Sequence, residues 1–117
     1  MARAATTTDV FNAIAEPRRR QIIDLLSQNS PRSVADLTAV LNLRQPSVSK
    51  HLGVLRQVGV VSVTRQGQHR LYQLNGQKLK PVHDWVKAYE RFWTHQLKRI
   101  KERAERTARN RSDAEKQ

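Results

Sequence analysis

No cysteine occurs among the 117 residues, which excludes disulfides, thiolate metal ligands and a cysteine nucleophile. Long apolar runs are missing too. No segment approaches the roughly 18 apolar residues that a membrane-spanning helix needs, and mean hydropathy is -0.72. Met1 to Thr8 holds one arginine and three threonines without an apolar stretch, so it does not read as a secretory signal. The most informative absence is of acid. Between Asp36 and Asp84 there is no carboxylate side chain, yet Arg44, Lys50, Arg56, Arg65, Arg70, Lys78 and Lys80 all fall there. Most charge runs are merely solvated faces, but such faces mix their signs. A surface that meets a phosphate backbone has a physical reason to exclude carboxylates, because each would repel the backbone.

What is present agrees. The formal net charge is +12 and the sequence pI is about 11.3, a balance suited to a polyanionic partner, nucleic acid first and an anionic membrane surface second. Hydrophobic residues make up 38% of the chain, enough at this length for one domain with a modest core, or a core completed by a partner.

Thr8 and Asp9 read as the cap and first turn of a short helix with Val10, Phe11, Ala13 and Ile14, stopping near Glu16. Pro17 suits the start of a second helix, with Ile22, Leu25 and Leu26 on one face. Ser30-Pro31 breaks it, and Ser33 with Asp36 forms the capping box of a third, which carries Ala35, Val40 and Leu41 among Val34 and Leu37. Pro46 opens a fourth helix running to about Val58-Gly59. The period then changes: Val61, Val63, Tyr72 and Leu74 flank Gln66-Gly67-Gln68, the pattern of a β-hairpin whose glycine takes a positive backbone angle. From about Pro81 a single long helix is expected. The predicted fold is therefore mainly α with a small β-hairpin, in the order α-α-α-α-β-β-α. Residues 1–117 read as one domain: a core over 8–75, a long C-terminal helix over 76–109 and a frayed, disordered tail over 110–117.

The fourth helix carries the chemistry. On a helical wheel Val48, Leu52 and Leu55 face one way, while Ser47, Lys50 and Gly53 face the other, flanked by Ser49, with Gln45 at the helix start. Short polar side chains at a helix N-terminus match the reach of base edges in a major groove, and neighbouring cations hold phosphates. An ordinary surface helix also carries Ser and Lys. The tight connection before the helix, the acid-free window and the basic hairpin that follows favour a helix-turn-helix with a wing. Arg44, Gln45, Ser47, Ser49, Lys50, His51 and Arg56 become candidate DNA contacts of the helix, and Arg65, Gln68, His69 and Arg70 those of the wing.

The stretches "FNAIAEPRRRQIIDLL", "SVADLTAVLNLRQPSVSKHLGVLRQVGVVSVTRQGQHRLYQL" and "DWVKAYERFWTHQLKRI" closely resemble the ArsR/SmtB family of bacterial winged helix-turn-helix repressors, over about Val10 to Ile100. The likeness is greatest to its metal-independent autorepressor branch. The resemblance implies a cytoplasmic, nucleoid-associated homodimer on double-stranded DNA, with an inverted-repeat operator and repression by occluding a promoter. It leaves any small-molecule effector unspecified. Val82, Trp85, Val86, Tyr89, Phe92, Trp93 and Ile100 form an apolar stripe too broad for the small domain to cover, so a second copy is expected there, together with Phe11 and Ile14.

Many members of that family sense metals, and the residues required are missing here. Their third-helix site needs paired cysteines, where this chain has Val34-Ala35-Asp36-Leu37. On the last helix the candidates His83, Asp84 and His95 lack the Asp-x-His order, and Lys98 stands three residues after His95. On one straight helix His83 and His95 would lie about 18 Å apart, too far to share an ion within one chain. No metal and no cofactor are expected. Neither is an enzyme: Ser47, Ser49 and His51 have no carboxylate near in sequence to orient the histidine. A non-specific nucleic-acid-binding or architectural protein remains the alternative that +12 alone would allow, although no aromatic lies on the basic face to stack on unpaired bases.

Overall fold

Pro17 can open a helix but not continue one, and Glu16 supplies the acceptor its first turn needs. In the computed structural model, which describes residues 9–116, the Glu16 carboxylate accepts from the Arg19 backbone N–H at 3.1 Å. The helix it caps, α2, spans Pro17–Gln28 and follows α1, Val10–Ile14. Asp9 caps α1 by accepting from Phe11 N–H at 2.9 Å; Thr8 of the expected cap lies outside the described residues. Ser33 Oγ accepts from Asp36 N–H at 3.1 Å and starts α3, Val34–Leu41. A tight connection leads to α4, Gln45–Gln57.

The hairpin forms from β2, Val61–Gln66, and β3, His69–Leu74, in antiparallel register with Val61 opposite Leu74 and Val63 opposite Tyr72. Gly67 takes φ 64 at the turn, as the sequence predicts. A third strand was not expected: β1, Arg32–Ser33, pairs with β3 to give the order β1-β3-β2. Two residues carry too little alternation to be read as a strand before their partner is known.

The described residues fall into two compact units, one ending at Val82 and the other beginning at His83. In the first, Ala13, Ile22, Ile23, Leu26, Leu37, Val48, Leu52, Leu55, Val60, Val61 and Tyr72 are buried together. Each large member contributes about 1.5–3 kcal/mol on leaving water. Leu25, read on one face with Ile22 and Leu26, is half-buried and packs against this core, and Ile23 is buried in it as well. On α3 the single fully buried anchor is Leu37, while Ala35 and Val40 stay exposed.

The C-terminal part departs from the single helix expected. A 3₁₀ turn, Gly76–Leu79, leads into α5, Lys80–Lys87, and α6 runs over Glu90–Lys116. Between them the backbone tightens, with Ala88 N–H bonded to Trp85 C=O at 3.3 Å and Tyr89 N–H to Val86 C=O at 2.9 Å. Helix also continues through 110–116, where the sequence predicts a disordered tail.

Candidate nucleic-acid interface

The helix-turn-helix is set by local backbone chemistry. Asn42 ends α3 in the left-handed conformation, φ 54 and ψ 46, with its N–H bonded to Thr38 C=O. Arg44 is then extended and precedes α4 without a side-chain cap. The first-turn N–H groups of α4 thus receive no side-chain acceptor there, and such groups favour anions. At the other end Gly59, φ 84, turns the chain, and Val60 N–H reaches back to Leu55 C=O at 3.0 Å, a closure that the missing Cβ permits. Asn75 ties the hairpin to this corner through its side-chain amide to Gly59 C=O at 3.1 Å and its N–H to Val60 C=O at 2.8 Å. Recognition helix and wing are therefore held to one rigid joint.

On α4, Val48, Leu52 and Leu55 are buried, whereas Gln45, Ser49, Lys50, Gly53 and Arg56 are exposed. Arg44 is exposed just before the helix, and Ser47 is only partly so. A Cβ built on Gly53 meets nothing within 4 Å, so the outer surface of α4 is open at its centre. His51 departs from this face. Its side chain is 15% exposed, with Nε2 3.9 Å from the Glu16 carboxylate and Nδ1 3.4 Å from Arg19 Nη1. Burial lowers its pKa from the ordinary 6.5, opposed by Glu16 and reinforced by Arg19, Lys50 and Arg18.

The arginines that open α2 have structural work. Arg19 donates from Nε to Ala13 C=O, and Arg20 donates to Ile14 C=O at 2.7 Å. Both close the carbonyl end of α1, a role not legible in a basic run.

In the wing, Arg65, Gln68, His69 and Arg70 are all exposed. Arg65 lies directly opposite Arg70, and neither has an ion-pair partner among the described residues. Like charges opposed across two strands destabilise a hairpin, and an anion placed between them removes that cost. We expect Arg70→Ala to weaken binding to every DNA sequence alike and to lower the slope of log affinity against log salt by about one unit. Titrations at several salt concentrations read this directly, and an unchanged slope would remove Arg70 from the interface.

The second unit carries most of the exposed apolar stripe. Trp85, Tyr89, Phe92, Trp93 and Ile100 are 57%, 48%, 65%, 45% and 63% exposed. Trp85 meets Tyr89 edge-on at 5.4 Å between ring centres, and Phe92 lies 6.1 Å from Tyr89. Val86 and, in the first unit, Val82 and Ile14 are half-buried, while Phe11 is 37% exposed. Leu97, 61% exposed, continues the stripe four residues after Trp93 and three before Ile100. That spacing made it detectable in the sequence, where it was missed. Because the helix breaks after Lys87, the straight-axis separation expected for His83 and His95 does not apply. Among the described residues no three His, Cys, Asp or Glu side chains gather as metal ligands, and no helix is long and apolar enough to cross a membrane.

A helix-turn-helix with an exposed polar face, followed by a basic two-stranded wing, defines a winged helix-turn-helix DNA-binding domain. Residues 16–63 match the model of the "Bacterial regulatory protein, arsR family". Transcriptional repressor SdpR of Bacillus subtilis is 38% identical over 78 residues, covering 67% of this chain and 86% of that protein. Among solved structures, an ArsR-like transcriptional regulator from Rhodococcus sp. RHA1 superposes with a TM-score of 0.64 at 26% identity, over 82% of this chain and 87% of that one. The homodimeric winged helix-turn-helix DNA-binding domain Mb0332 from Mycobacterium bovis gives 0.57 at 30% identity, over 74% and 81%. The chain belongs to the arsR family of bacterial regulatory proteins. It is a DNA-binding regulator of transcription and not an enzyme.

Proposed function

We propose that the protein is a homodimeric repressor that binds an inverted-repeat operator and shuts down transcription by covering a promoter, its own included. The observation that carries this reading is the division of α4 into a buried Val48-Leu52-Leu55 back and an exposed front of Gln45, Ser49 and Lys50. Gln45 and the serines reach base edges. Lys50, Arg44 and Arg56 hold phosphates, and the wing adds Arg65, Gln68, His69 and Arg70 at the backbone or adjacent minor groove. The exposed aromatic stripe supports pairing, since monomers rarely leave so large an apolar patch in water, and the Mycobacterium bovis relative is a homodimer. Twofold pairing would place half-site centres about 10 base pairs apart. Action in the cytoplasm, on the nucleoid, follows from such a target.

Footprinting on the DNA upstream of the coding region tests this, together with binding to that duplex and a scrambled one at physiological salt. Gln45→Ala or Ser47→Ala should cost about 1–3 kcal/mol on the protected site and much less on scrambled DNA. Equal losses on both would show that these residues do not specify. Equal wild-type affinity for both would leave a non-specific binder.

A further inference from the structure

We infer that His51 is a positioning residue: its ring, with Nδ1 accepting from Arg19 and Nε2 turned to Glu16, clips the DNA-reading helix α4 to the α1–α2 elbow rather than touching DNA. This rests on the reading of α4 given above. The clip is built from groups already held in place. Arg19 is anchored on the carbonyls of Ala13 and Asn12, and Glu16 is anchored as the cap of α2. His51 reaches both from α4, across 3.4 Å and 3.9 Å. It sits one residue after Lys50 and one turn from Ser47, so its contacts set the roll of the face those residues present.

The tautomer follows from the partners. A guanidinium can only donate, so Nδ1 must be the acceptor and the ring proton sits on Nε2, toward the carboxylate. A second proton would put a donor on Nδ1 against the Arg19 donor. It would also add a charge facing Arg18 and Arg19 from α2 and Lys50 from α4, with Glu16 alone in opposition; α1, α3 and β2 also pack on α4 and contribute no charge acting on the ring. Burial and these cations lower the His51 pKa below 6.5. A depressed value means the neutral ring's stabilising contribution is complete above about pH 6.5 and is lost as the pH falls through the folded-state pKa.

Acid should therefore loosen operator binding, against the usual trend. Acid otherwise adds positive charge to a protein and strengthens its contact with phosphates. The test measures the full chain on the protected duplex and on scrambled DNA between about pH 5 and 8 at constant salt. Operator affinity is expected to fall by up to about tenfold per pH unit once below the His51 pKa, while affinity for scrambled DNA holds or rises. His51→Ala should lose operator preference across the range. His51→Gln keeps one donor and one acceptor but cannot titrate, so it should recover affinity that alanine loses near neutral pH and lack the acid-dependent decline. Nitrogen chemical shifts of the DNA-free protein should report the Nε2–H tautomer. An Nδ1–H tautomer, a shared pH profile for wild type and His51→Gln, or equal weakening of both DNAs by His51→Ala would overturn the clip. Wild type without operator preference at any pH would instead overturn the reading of α4, and the tautomer would then decide the clip by itself.

Discussion

Tyr89→Asp combined with Phe92→Asp is expected to give a monomer that sediments as one chain and no longer prefers its operator over scrambled DNA. Both rings are about half-exposed or more, 48% and 65%, so charging them does little to the fold of an isolated chain. In a self-complementary twofold interface each substitution acts twice and buries like charges against one another. One recognition helix contacts only a few base pairs, and losing the second should lower operator affinity by about 10³ or more, toward the non-specific range. The α4 fold should survive, which far-ultraviolet circular dichroism checks. Sedimentation of the wild type as a monomer at micromolar concentration, with operator binding retained, would sink the dimer reading and give the aromatic stripe another partner.

Leu55→Ala is expected to be the costliest single core change with a functional consequence. Leu55 is fully buried, on the back of α4, and its carbonyl also receives Val60 N–H at the joint with the wing. Truncating a buried leucine leaves a cavity and costs about 2–5 kcal/mol. At roughly 4–8 °C per kcal/mol for a domain of this size, the unfolding midpoint should drop by about 10 °C or more. Unfolding is to be followed at fixed protein concentration, since dimerisation makes stability depend on it. Val40→Ala, at a position 55% exposed and outside the aromatic stripe, is the control and should leave stability nearly unchanged. A Leu55→Ala loss below about 1 kcal/mol would mean that α4 is not held by its apolar back.

The Tyr89→Asp/Phe92→Asp and Leu55→Ala chains separate pairing of two copies from base reading by α4. The first removes the second half-site and leaves each helix intact. The second leaves every side chain of the front in place and loosens what holds it. A change in operator preference that follows Leu55→Ala only near its lowered unfolding midpoint would show that the front depends on its support.

Much of the architecture was legible because it is written in local chemistry. Pro17 and Pro46 admit a helix start, Ser33 and Asp36 supply a capping box, and Gly67 takes the positive φ of a hairpin turn. The spacing of Val48, Leu52 and Leu55 determines which side of α4 is buried before any partner is known. The acid-free window with its seven Lys and Arg side chains also determines the chemical class of ligand, because charge is a property of composition. Tertiary structure decided what depends on distant partners. The strand Arg32–Ser33 exists only because β3 offers it a ladder. The last helix breaks at Ala88 and Tyr89 with neither Pro nor Gly to announce it. His51, adjacent to Lys50 and read with it as a DNA contact, turns inward because Glu16 and Arg19 lie within 4 Å of its ring. Periodicity assigns a side chain to a face of its own helix; which groups from other helices wait at that face is settled only when the chain has folded back on itself.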